Sequence, residues 1–205
     1  MQQSSAAVLY RVAAALLRLP VRLAFRPQVS GVEHVPPRGG FVVAANHLSG
    51  FDVLAIAYPL SPRRLSFMAK NELFARRFLG PLIRRLGAFP AHGDGPGSGA
   101  DAAARLAGGG NVVVVFPTGA RRRPDRVHRA RGGAAHAALV GRVPLVPAAL
   151  AGTDGWRRLR RWRIAFGPPV RLDDLETQDA VDEATQRLWA AIVALGEGLP
   201  RKAAA

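Results

Sequence analysis

Between residues 46 and 52 the chain reads Asn-His-Leu-Ser-Gly-Phe-Asp, placing a potential base, a carboxylate and two small hydrogen-bonding side chains within one turn. A carboxylate that accepts a hydrogen bond from one imidazole nitrogen of His47 fixes its tautomer and leaves the other nitrogen free to take a proton. With an ordinary histidine pKa of about 6.5, that pairing can activate a weak hydroxyl nucleophile, an effect of roughly 10²–10⁴ in rate. His47 and Asp52 also read as a loop histidine beside an ordinary helix cap, and their spacing leaves both readings open. Ser49 lies two residues from His47 in a tight turn, which suits a cap or a brace for the loop better than a nucleophile.

The elements around this turn must position it. Phe41 to Ala45 is a short apolar run that reads as a buried strand, and Phe51 to Tyr58 reads as a helix. His47 and Asp52 therefore bracket a strand-to-helix connection, and Asp52 falls where the first turn of a helix favours negative charge. Further short strands are expected at Gln28 to Val35, Leu65 to Met68, Ala88 to Ala91, Leu145 to Leu150 and Trp162 to Phe166. The strongest strand signal is Val112 to Val115, four consecutive β-branched residues expected at the centre of a sheet. Helices are expected from Asn71 to Arg77, over Leu82 to Leu86 after an interruption at Gly80-Pro81, and over Ala100 to Leu106, Gly133 to Val140 and Ala180 to Leu195. Strands alternating with helices give a mixed α/β sheet flanked by helices, with no internal repeat. The stretch 116–133 carries six arginines and follows the end of the valine strand, the place where open α/β sheets commonly bind ligands.

Length and charge narrow the partners. The 205 residues suit one main domain, expected over residues 27–205, and the net charge of +15 points to an anionic partner. The chain has no cysteine, which excludes thiolate metal sites and a cysteine nucleophile, and its five histidines show no metal-ligand spacing. Residues 1–26 are expected to form an amphipathic helix. Arg11, Arg18 and Arg22 interrupt its apolar stretch and Pro20 breaks or kinks it, so it suits a helix lying in a bilayer interface rather than a span. Docking of the same helix on the protein's own core is the equal alternative.

Four stretches, in order, resemble the glycerolipid acyltransferase family, the lysophosphatidic acid acyltransferases. NHLSGFD is similar to its first block, MAKNELF with the following LGAFPA to the region through its second, FPTGAR to its third and VPLVPAAL to its fourth. The resemblance implies acyl transfer from acyl-CoA or acyl carrier protein to the hydroxyl of a lysophospholipid acceptor. It implies no cofactor and no metal, and a peripheral or monotopic place on the cytoplasmic side of the cell membrane, against an anionic surface. His47 would be the base and Asp52 its orienting partner. Asn46, Ser49, Lys70, His92, Thr118, Gly119 and Arg121 would lie on the substrate side, Arg121 as a ligand for the acceptor phosphate.

Two departures stand out. Thr118 occupies the position where the family's third block has Glu, and Ala120 the position where it commonly has Thr. His92 and Gly93 stand where the second block usually ends in a phosphate-holding arginine. His92, or some of Arg122, Arg123 and Arg126, could replace that ligand. An intact base beside an altered acceptor grip implies retained acyl transfer with a changed or less strictly phosphorylated acceptor. The alternative is a catalytically degenerate member that binds anionic membranes. Trp156 and Trp162 flank a basic run from Arg157 to Arg161 that could stack on bases, but no nucleic-acid motif accompanies it, so no specific nucleic acid is expected.

Overall fold

The computed structural model describes residues 16–91, 97–119, 129–175 and 179–200. Seven strands form one sheet: β1 (Gln28–Ser30), β2 (Phe41–Ala45), β3 (Leu65–Ala69), β4 (Ala88–Pro90), β5 (Val112–Val115), β6 (Leu145–Ala151) and β7 (Arg163–Phe166). Residues 16–25 are helical (α1), followed by α2 (Asp52–Leu60), α3 (Asn71–Phe74), α4 (Leu79–Arg85), α5 (Gly99–Gly108), α6 (Gly133–Gly141) and α7 (Ala180–Gly198). The strand order is β1-β7-β6-β2-β5-β3-β4. Every neighbouring pair is parallel except β6 and β7.

Strands buried on both faces need continuous apolar sequence, and β2 and β5 supply it: all nine of their residues are buried. Alternation divides them between two cores. Phe41, Val43, Ala45, Val112 and Val114 face Ala55, Ile56 and Leu60 of α2, whereas Val42, Ala44, Val113 and Val115 face α5, α6 and α7. The second core is built largely of alanine, which lets helices approach closely; a Cβ added at Gly141 of α6 would sit 2.9 Å from the Ala104 carbonyl of α5. The parallel central strands β6, β2, β5 and β3 end on the same edge of the sheet, where Asn46 and His47 follow β2, Lys70 follows β3 and Phe116 follows β5.

Local expectations change at the first strand and at Gly80-Pro81, and a turn forms between β6 and β7 that no expectation covered. The first strand stops at Ser30 rather than Val35, because Gly31 turns with φ 72° against the Phe166 carbonyl and a 3-10 turn follows over Val32–His34. The Gly80-Pro81 pair lies inside the first turn of α4 instead of interrupting a helix, since a proline near a helix start removes only an N–H that has no intrahelical partner. Between β6 and β7, Thr153–Arg158 forms a 3-10 turn ended by Leu159 at φ 46°.

Helix α1 docks on the first core through Val21 and Phe25, the latter stacked on Trp162 at 4.1 Å between ring centroids, and Arg18 lies over the Tyr58 ring of α2. At about 100° per residue, Leu16, Leu19 and Leu23 form a stripe opposite that docking face, and all three are exposed. The helix thus has one apolar face spent on the core and another turned outward. Among the described residues, no helix is long and apolar enough to cross a membrane.

A second histidine–carboxylate pair pins α5 to α6. His136 Nε2 donates to Asp101 Oδ1 at 2.7 Å, and the Gly97 N–H donates to Asp101 Oδ2. The His136 hydrogen bond, followed by that from Gly97, holds the Asp101 carboxyl below the usual carboxylate range. A depressed carboxyl stabilises the fold above its unfolded pKa, and that contribution disappears as pH falls through the lower folded value. Asp101→Asn is therefore expected to flatten the acid limb of thermal stability below pH of about 4. Melting temperatures across that range check it; parallel acid limbs for variant and wild type would rule it out.

Candidate active site

The turn after β2 is closed by one oxygen. Asp52, the first residue of α2, is fully buried, and its Oδ2 accepts the Leu48 N–H at 2.6 Å, the Ser49 N–H at 2.9 Å and His47 Nδ1 at 2.7 Å. A carboxylate only accepts, so Nδ1 carries the proton and Nε2 is left as the basic nitrogen. Nε2 makes no hydrogen bond among the described residues, and the His47 side chain keeps 19% of its surface accessible. The ring is held from its face by Phe116, stacked at 4.2 Å between centroids and 17° between planes. Ser49 Oγ accepts from the Phe51 N–H at 3.1 Å, bracing the same turn.

Asn46 ties the turn to the neighbouring strand. Its Nδ2 donates to the Leu150 carbonyl at 2.9 Å and its Oδ1 accepts the Leu150 N–H at 2.7 Å, continuing the β2–β6 ladder by one side-chain rung. The amide group and the Ser49 hydroxyl are thus engaged with backbone, and both act on His47 by placing it. The base is fixed from three sides: by Asp52 at Nδ1, by Phe116 at the ring face and by Asn46 through the chain.

The substrate-side expectations divide. Lys70 is exposed and directly follows β3, and Thr118 and Gly119 form the turn after β5, closed by a Gly119 N–H to Phe116 carbonyl hydrogen bond at 2.9 Å. His92 and Arg121 lie outside the described residues, as do Arg122, Arg123 and Arg126. Two contributors escape sequence reading. Phe116 is marked only by its place after the valine strand. Arg131 returns to this edge because its N–H donates to the Pro117 carbonyl, and a Cβ built on Gly119 would meet its guanidinium at 3.5 Å. The arginine-rich run is the only signal for Arg131, and the run does not say which of its members comes back.

If Phe116 orients the base, removing its ring should act on turnover more than on binding. Aromatic stacking contributes about 0.5–1.5 kcal/mol, so Phe116→Ala is expected to lower kcat by about 2–10-fold with donor KM little changed. Steady-state kinetics at saturating donor read this, and a change confined to KM would contradict an orienting role.

A histidine–carboxylate pair at the C-terminal edge of a mostly parallel sheet, with a basic group beside a neighbouring strand end, is an arrangement able to take a proton from a group bound beside positive charge. The chain matches the Acyltransferase family over residues 26–151, and it belongs to that family. It is 30% identical over 170 residues to the 1-acyl-sn-glycerol-3-phosphate acyltransferase of Bacillus subtilis, covering 81% of this chain and 84% of the relative. It is 28% identical over 175 residues to the human 1-acyl-sn-glycerol-3-phosphate acyltransferase alpha, covering 80% of this chain and 62% of that protein. The crystal structure of the 1-acyl-sn-glycerophosphate acyltransferase from Thermotoga maritima shares the fold, with a TM-score of 0.62 at 22% identity over 82% of this chain and 72% of that one. The protein is thus an enzyme of the O-acyltransferase class.

Proposed function

We propose that the enzyme moves a fatty acyl group from acyl-CoA or acyl carrier protein to the free hydroxyl of a lysophospholipid, foremost 1-acyl-glycerol-3-phosphate, in phospholipid synthesis at the cytoplasmic face of the cell membrane. The observation that carries this reading is the His47–Asp52 pair, with Nδ1 engaged and Nε2 making no hydrogen bond among the described residues. Nε2 takes the proton of the acceptor hydroxyl as its oxygen attacks the thioester carbonyl. The tetrahedral oxyanion then collapses, the carbon–sulfur bond breaks, and the imidazolium returns its proton to the departing thiolate. A thioester is already activated, so the step needs no covalent enzyme intermediate and no cofactor beyond the donor.

Arg131, beside Gly119, is the described cation best placed to meet the acceptor phosphate, because a guanidinium can make two charge-assisted hydrogen bonds to it at once. Arg121 and His92 complete that grip in this reading, and Lys70 adds charge at the neighbouring strand end. In this reading residues 1–26, of which 1–15 lie outside the described residues, serve as the interfacial segment through the outward leucine stripe of α1, and residues 27–205 as the acyltransferase domain. Thr118, standing where the family has Glu, favours a second reading: a degenerate member that binds anionic membranes without turnover.

Thiol release from a long-chain acyl-CoA, with products read by mass spectrometry over a panel of lysolipids with and without a terminal phosphate, tests the two against each other. An acylated lysophosphatidate that vanishes in His47→Ala is expected. Silence of both proteins on a panel that the Bacillus relative turns over would leave the binding reading. A phosphate-free acceptor preferred by a wide margin would remove Arg131 from its role.

A further inference from the structure

The turn that carries His47 and Asp52 is joined by aromatic rings to an exposed basic surface. Phe51, the residue before Asp52, packs on Trp156 at 5.4 Å between centroids and on Phe25 of α1 at 6.2 Å, while Phe25 stacks on Trp162. Trp156 belongs to the turn Thr153–Arg158 between β6 and β7. It is 42% exposed, with the Arg157 guanidinium 5.2 Å above its ring, and Leu159 beside it is 53% exposed.

Leu159 sits at φ 46°, in the left-handed region that a branched apolar side chain seldom adopts and that glycine or asparagine occupies readily. A strained backbone therefore presents a leucine with about half of its surface exposed, where folding gains less from it than from a buried one. From Thr153 to Arg163 the chain has five arginines against one carboxylate, Asp154. Among the described residues, none of these arginines is in an ion pair. Tryptophan, leucine and unpaired arginine close together form the composition that enters the headgroup region of an anionic bilayer.

We propose that the segment 153–161, the turn and the two arginines after it, is a contact for an anionic lipid surface. Trp156 and Leu159 enter the interface and Arg157, Arg158 and Arg161 meet headgroup phosphates. Because Trp156 touches Phe51, lipid contact here sets the height of the His47 turn against the membrane, alongside the outward leucine stripe of α1. The inference deepens the membrane-surface reading above and is separable from acyl transfer, since lipid partition is measured with no substrate present.

The test is sedimentation of the full chain with vesicles of phosphatidylglycerol and phosphatidylcholine in equal amounts, and with phosphatidylcholine alone. Two variants are compared with wild type: Leu159→Asn, which suits the left-handed backbone, and the combined Arg157→Gln, Arg158→Gln, Arg161→Gln. Partition to the anionic vesicles is expected to fall by about fivefold for the first and by about tenfold or more for the second. The arginine variant should bind phosphatidylcholine vesicles as wild type does, and Leu159→Asn should melt no lower than wild type. Partition of both variants equal to wild type overturns the proposal. So does unchanged partition together with lost retention of a duplex RNA, which would assign the surface to nucleic acid. A fall in partition for Leu159→Asn that follows a lower melting temperature would make Leu159 structural and overturn its part.

Discussion

Replacing His47 by alanine is expected to reduce acyl transfer by about 10²–10⁴-fold, the range of a positioned general base, while the protein stays folded. The ring is partly accessible and contributes one hydrogen bond and one aromatic face, so its loss should cost about 1 kcal/mol of stability. The Leu48 and Ser49 N–H groups still find Asp52 Oδ2, and the turn remains closed. The loss should fall on kcat rather than on donor KM, because the base acts on the acceptor hydroxyl in the transition state. Thiol release at saturating donor reads it. A His47→Ala variant that retains more than about a tenth of wild-type kcat would exclude general-base catalysis by this residue.

Substitutions at Asp52 separate two jobs held by one oxygen. Asparagine can place a carbonyl oxygen where Oδ2 stands, accepting from the same three donors, so the turn and the His47 tautomer should survive, at a cost of about 1–3 kcal/mol for its NH2 at the buried, unpartnered Oδ1 position. What disappears is the negative charge facing the imidazolium formed during reaction. Hydrogen bonds to charged groups contribute about 1.5–3 kcal/mol against about 0.5–1.5 for neutral ones, which puts the expected fall in kcat for Asp52→Asn at about 10–10²-fold. Alanine removes the oxygen and leaves the Leu48 and Ser49 N–H groups without it. At about 1–3 kcal/mol for each buried donor left unpaired, Asp52→Ala should lose about 2–5 kcal/mol and melt about 5–15 °C lower. Kinetics and thermal melts on the two variants make the comparison. Equal destabilisation by both would mean that the oxygen does not close the turn, and wild-type kcat in Asp52→Asn would remove the charge from the mechanism.

The parts of this site written within a few residues of each other were legible in the sequence. His47 and Asp52 are five apart, and their pairing needs only the turn that a strand followed by a helix creates. The valine strand was legible too, since four β-branched residues in a row have few alternatives, and the structure places it beside β2 within the sheet. What escaped depends on contacts across the chain. Phe116 meets the His47 ring only because β2 and β5 are parallel neighbours in a given register. Arg131 is brought back to the site by one backbone hydrogen bond to Pro117, a contact that the arginine run itself does not announce. The early end of β1 is set by the Phe166 carbonyl, 135 positions away in sequence, against which a side chain at Gly31 would collide. The antiparallel reversal of β6 and β7 leaves no periodic trace, and it creates the basic turn that brings Trp156 to Phe51.

Because the oxygen that orients His47 also holds the Leu48 and Ser49 amides, local opening of this turn and loss of the oriented base are one event. Amide hydrogen exchange at those two positions should therefore report the fraction of molecules with His47 in place, with no substrate added. Lipid contact, acceptor binding or a distant substitution that slows exchange at Leu48 and Ser49 would raise the population ready to react. One that speeds exchange would lower it, and the change in protection would give the size of the effect before any turnover is measured.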